Sequence, residues 1–150
     1  MSDTHDIAKL DDLIVTTIDS IKGYEHSAEK ASGSLYAGFF RDTAADRREA
    51  VALLQGQSRK LGGTPADYGS AAATLHRVFE DLRVALGGGD KAVIEEIERG
   101  EDYLKEEYDR VLGDGITSEP TLAVVRRAYE SVTRGHDQAS WLKKEEQAAV

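Results

Sequence analysis

At 150 residues the chain is the length of one ordinary domain, enough to bury a core without disulfide or metal staples, and a single domain over 1–150 is expected. It has no cysteine, which excludes disulfides, thiolate zinc sites, iron–sulfur clusters and cysteine nucleophiles, so any metal would be held by oxygen and imidazole. A net charge of −9 with no strong Lys/Arg stripe argues against nucleic acid and anionic membranes.

Residues Met1 to Lys9 are polar and carry no apolar signal-like run, and no stretch approaches the roughly 20 apolar residues that span a bilayer. A cytoplasmic location is the expectation. Pro65 and Pro120 are the two prolines, and both stand beside other loop signals, so long helices are permitted. From Asp6 to about Ala31, Ile7, Leu10, Ile14, Ile18, Ile21, Tyr24 and Ala28 recur at helical spacing. A second helix is predicted from Leu35 to about Leu61 through Phe39, Phe40, Thr43, Ala50, Leu53 and Leu54, with Gly62-Gly63 as its stop.

The next connection, Gly62 to Gly89, holds an amphipathic segment of its own, Ser70 to Leu86, read as a helix in a long crossover. Gly87-Gly88-Gly89 follows, but no strand precedes it and no Gly-Lys-Ser/Thr follows, so it does not read as a phosphate loop. Asp90 opens a third helix whose seam is Ile94, Ile97, Glu101, Leu104, Tyr108 and Val111. The fourth starts near Ser118, with Pro120 in its first turn, and follows Leu122, Val125, Tyr129, Val132, His136 and Ala139. The fold class is therefore all-α, a four-helix bundle with an additional crossover helix.

Three seam positions are wrong for a core: Asp46 in the second helix, Glu101 in the third and His136 in the fourth. Suppose the first helix rises, the second descends, the crossover returns, the third descends and the fourth rises. At about 1.5 Å per residue, Asp46 lies roughly 18 Å and Glu101 roughly 15 Å below the top of a bundle about 42 Å tall. His136 lies roughly 24 Å and Glu25 roughly 28 Å above its base, so all four fall within about 5 Å of one level. An up-down-up-down order would part Glu101 from Asp46 by roughly 9 Å.

A carboxylate buried alone costs several kcal/mol, so something must compensate it. Hard oxygens with one imidazole suit Fe(II), Mn(II) or Zn(II), and Asp46, Glu49, Glu101 and His136, with Glu25 as a further ligand, form the candidate set. A hydrogen-bonded network with Thr17, Tyr24 and Tyr108, or an inward-reaching Arg47, would compensate equally well.

The run from Phe39-Phe40 through Asp46 to Glu49-Ala50 resembles the second helix of rubrerythrin-type ferritin-like proteins, and Gly100-Glu101-Asp102-Tyr103 resembles their third. Over nearly the whole chain, Gly23-Tyr24, Leu61-Gly-Gly-Thr-Pro, Leu75-His76-Arg77, Gly89-Asp90, Glu98-Arg-Gly-Glu101-Asp102 and His136-Asp137 are similar to a bacterial ferritin-like family of unknown function. The resemblance implies a ferritin-like up-down-down-up bundle, distantly related to rubrerythrin and bacterioferritin.

Di-iron members draw one Glu from each of two helices and Glu-x-x-His from the other two. Here Glu101 matches the third-helix Glu and His136 the fourth-helix His, with Thr133 in its partner's place. The second-helix motif reads Asp46-x-x-Glu49, and the first helix offers only Glu25. The dinuclear set is incomplete, and what the resemblance implies is a mononuclear or degenerate site.

His5, His26 and His76 read as solvated or structural, and without a Gly-x-Ser-x-Gly turn a hydrolase triad has no support. Two functional readings stay open: a divalent-metal protein with the ligands above, and a non-catalytic helical module acting through self-association or a protein partner. Apolar surface left over from the bundle would favour a homodimer.

Overall fold

The computed structural model describes residues 2–30, 36–68 and 90–148. Among these residues there are four helices and no strand: α1 (Ser2–Lys30), α2 (Tyr36–Lys60), α3 (Asp90–Asp114) and α4 (Glu119–Ala148). The helix expected over Ser70–Leu86 lies outside the described residues. No described helix is long and apolar enough to cross a membrane.

Each helix exists because one stripe of it is buried. α1 buries Leu10, Leu13, Ile14, Ile18, Ile21 and Tyr24, and α3 buries the whole stripe Ile94, Ile97, Glu101, Leu104, Tyr108 and Val111. Burying a Leu or Ile side chain is worth about 1.5–3 kcal/mol, so packing rather than intrinsic propensity holds these helices. Near one end of the core, Tyr24 stacks on Phe40 with centroids 5.8 Å apart and meets Phe39 edge-on.

α2 stops where the sequence predicts. Gly62 takes a φ of +92°, Gly62 N donates to the Arg59 carbonyl and Gly63 N to the Ser58 carbonyl, the paired bonds of a Schellman cap. Gly63 also has no room for a side chain, since a Cβ there would lie 2.5 Å from Ser58 Oγ and 3.0 Å from Ile7 on α1. At the same end, the buried Asp6 accepts from Thr117 N at 2.8 Å and Ser118 N at 3.1 Å, capping the start of α4 from across the bundle.

Helix directions follow from these contacts. Ser20 meets Arg47 and Asp11 meets Ala66, so α1 and α2 are antiparallel. Thr17 meets Tyr108 and Tyr24 meets Glu101, so α3 also opposes α1 and therefore runs parallel to α2. Gln57 meets Thr121 and Asp46 meets Arg134, which sets α4 against α2.

Two seams differ from the sequence reading by one residue. On α4 the buried series is Val125, Ala128, Val132, Gly135 and Ala139, and His136 sits at the edge, half-buried. On α2 it is Phe40, Ala44, Arg47, Ala50, Val51 and Leu54, with Arg47 inside and Asp46 beside it. One residue turns a helix by about 100°, enough to move a side chain from the core to its rim. Glycine carries no hydrophobic signal, and an arginine reads as surface, so a search for apolar stripes passes over both.

Candidate functional site

Three helices place a polar side chain at the centre of one cross-section, and the fourth makes room. Glu101 comes from α3 and is 1% exposed; Arg47 comes from α2 and is 0% exposed. Arg47 Nη2 donates to Glu101 Oε1 at 2.5 Å, and the Tyr24 hydroxyl of α1 donates to Glu101 Oε2 at 2.5 Å. Arg47 Nη1 donates to Ser20 Oγ at 2.6 Å, and no described residue accepts a hydrogen bond from its Nε. On α4 the facing residue is Gly135, and a Cβ there would come within 3.0 Å of both Arg47 Nη2 and Glu101 Oε1.

The electrostatics are those of a closed, mutually neutralising group. Burial alone would lower the Arg47 pKa, but the Glu101 charge beside it raises it on balance. Burial, and then the Glu101 charge, push the Tyr24 phenol well above its ordinary range, so it stays a neutral donor. About two turns down the bundle, Thr17 donates to the Leu13 carbonyl at 2.6 Å and meets the Tyr108 hydroxyl at 2.7 Å. Thr17 has a single hydroxyl proton, so Tyr108 is the donor of that pair. Burial pushes Tyr108 up to about 12.

The five expected ligands lie near this level, but their side chains go different ways. Glu25 is exposed and pairs with Arg48. Asp46 is held in a two-point ion pair by Arg134, at 2.7 and 3.1 Å, chiefly through which its carboxyl is held below the usual range. Glu49 is exposed on α2, beside the groove that separates it from α4. His136 Nε2 meets Asp102 Oδ1 at 2.9 Å on the rim between α3 and α4. Only Glu101 of the five is in the core, and among the described residues no three His, Asp or Glu side chains gather as a metal-binding group.

Arg47 reaches inward to Glu101, to which Tyr24 also donates, while Thr17 and Tyr108 pair with each other. Sequence reasoning missed Ser20, Gly135 and the buried Asp6. Arg47 carries a usable signal, since it stands seven residues after Phe40 and seven before Leu54, at a core position by helical spacing.

A family model described as a domain of unknown function (DUF2383) matches residues 5–114, most of the chain. The chain belongs to the DUF2383 family. No curated protein and no solved structure gives a significant match. The DUF2383 match takes in Asp6, Tyr24, Arg47 and Glu101, and ends before Gly135 and His136. Ser20, Tyr24, Arg47 and Glu101 thus all lie inside the family's matched region, and the glycine that accommodates them lies outside it.

Proposed function

We propose that this chain is a ferritin-like four-helix module in which an internal ion pair occupies the level where di-iron proteins of that fold hold metal, and that it acts without catalysis, through self-association or a protein partner. The observation that carries the reading is the Arg47–Glu101 pair, 2.5 Å apart and out of contact with water. The parallel course of α2 and α3 and the convergence of Tyr24, Arg47, Glu101 and Gly135 at one height support the ferritin-like assignment.

The donor set does not fit a divalent ion. Both Glu101 oxygens already accept hydrogen bonds, one from a permanent cation, so an ion at Oε1 would have to displace Arg47 and then sit near its charge. Asp46 and Glu25 are neutralised by Arg134 and Arg48 at the rim. No reaction step follows from such a group, because it offers neither an open coordination position nor a base facing a cleft.

Thermal melts with and without Fe(II), Mn(II) or Zn(II) test this reading. A folded-state metal site raises Tm in proportion to the logarithm of metal concentration. No concentration-dependent rise is expected; a rise that disappears in Glu101→Leu would overturn the proposal.

A further inference from the structure

Charge is distributed unevenly around the bundle. α1 and α3, neighbours through Thr17–Tyr108 and Tyr24–Glu101, carry 17 acidic against 7 basic residues, a net of −10. α2 and α4, neighbours through Asp46–Arg134 and Gln57–Thr121, carry 8 acidic against 10 basic, a net of +2. The acidity of the four described helices is thus concentrated on one side, and two copies could not bring those sides together without strong repulsion.

The opposite side has the properties of a self-complementary surface. Between α2 and α4 runs an open groove of about 470 Å³, with Leu53 and the small residues Ala50 and Ala52 along it. Its charged lining is mixed: Arg127 and Arg134 from α4 stand against Glu49 from α2 and Glu130 from α4. Arg134 is occupied by Asp46, whereas Arg127 makes no ion pair with a described residue. Residues 61–66 turn toward α1, where Gln55 and Asp11 both bind the backbone of Ala66.

We infer that two copies of this chain associate about a two-fold axis through the α2/α4 face, with Arg127 of each set against the carboxylates Glu49 and Glu130 of the other. An isologous contact needs a patch that complements itself, and a near-neutral patch carrying both signs around Leu53, Ala50 and Ala52 does so. Two side-by-side helices of 25 residues or more present about 40 by 20 Å, or about 800 Å², which matches one partner's share of a standard stable interface. The inference rests on the reading of the protein as a non-catalytic module that self-associates, and it names the surface used.

Sedimentation equilibrium on full-length wild type, Arg127→Glu and Lys22→Glu tests it. Both substitutions change the net charge equally, but Lys22 is exposed on α1, on the acidic side. Wild type should have twice the 16.4 kDa chain mass at tens of micromolar. Arg127→Glu, which acts twice across the axis, should raise the dissociation constant roughly tenfold or more, and Lys22→Glu by less than about twofold. Far-UV circular dichroism checks that both variants stay helical. A dimer that Arg127→Glu leaves intact, or that both variants weaken alike, overturns the assigned face while self-association stands. A monomeric wild type overturns the inference altogether, and metal binding tests the ion-pair reading by a separate measurement.

Discussion

The glycine that faces the buried ion pair predicts that the same substitution will have opposite signs at two glycines. At Gly135 an added Cβ would lie within 3.0 Å of Arg47 Nη2 and Glu101 Oε1 and 3.4 Å from Arg47 Cζ. Side-chain ends usually yield cheaply, but these two are fully enclosed and bonded to each other at 2.5 Å, so the methyl can enter only by parting them. Breaking a buried pair costs about 3–5 kcal/mol, and replacing glycine by alanine inside a helix returns about 0.5–1 kcal/mol. Gly135→Ala should therefore lose about 2–4 kcal/mol, a fall of roughly 5–15 °C in Tm for a domain of this size. At Gly56, within α2, nothing lies within 4 Å of the added Cβ, and Gly56→Ala should gain about 0.5–1 kcal/mol. Urea unfolding of both variants measures the difference. The decisive control is Gly135→Ala in an Arg47→Met/Glu101→Leu background, where the two clashing atoms are gone and the change should cost nothing. Equal losses in both backgrounds, or no loss in the wild type, would refute the steric and electrostatic argument together.

Removing either member of the ion pair should destabilise sharply. Glu101→Leu would suit the apolar stripe by itself, but it leaves Arg47 charged and Tyr24 without its acceptor, so a loss of about 3–5 kcal/mol is expected by urea titration. Arg47→Met should lose a similar amount, and the double variant Arg47→Met/Glu101→Leu should recover most of it; additive losses would count against a direct pair. Asp6→Ala removes the acceptor for two backbone N–H groups at the start of α4 and should cost about 1–3 kcal/mol, read from the same titration. Burial would raise the Asp6 pKa, but the N–H groups of Thr117 and Ser118 more than offset it and lower it below 3.8. The folded pKa is depressed, so the Asp6 contribution is complete above the unfolded pKa and is lost as pH falls through the folded one. The gap between wild type and Asp6→Ala should be constant from about pH 5 to 7 and close below about pH 4; a gap that widens on acidification would contradict this.

The sequence and the structure agree best where apolar residues mark both sides of an element. The α3 stripe, carboxylate included, is buried as its spacing predicts, because Ile94, Ile97, Leu104, Tyr108 and Val111 leave only one way to orient the helix. Comparing heights along the helices sets Glu25, Asp46, Glu101 and His136 at one level; the structure joins Tyr24 and Arg47, the neighbours of Glu25 and Asp46, to Glu101, and His136 to Asp102. What the spacing could not resolve was rotation by one residue. Ligand chemistry favours Asp46 over Arg47 and His136 over Gly135, because carboxylates and imidazole bind metal and arginine and glycine do not. The core instead holds a long cation and a glycine that admits it. Asp6 was passed over because its partners, Thr117 and Ser118, are more than 100 residues away in sequence and nothing local announces the pairing.

Elemental analysis is the most direct test of the claim that Arg47 has the place of a metal. Protein purified without chelator or affinity metal, then equilibrated with Fe(II), Mn(II) or Zn(II) and desalted, should retain far less than one ion per chain, and Glu101→Leu or His136→Ala should not change the amount. One or two ions per chain, lost in those variants, would contradict the account.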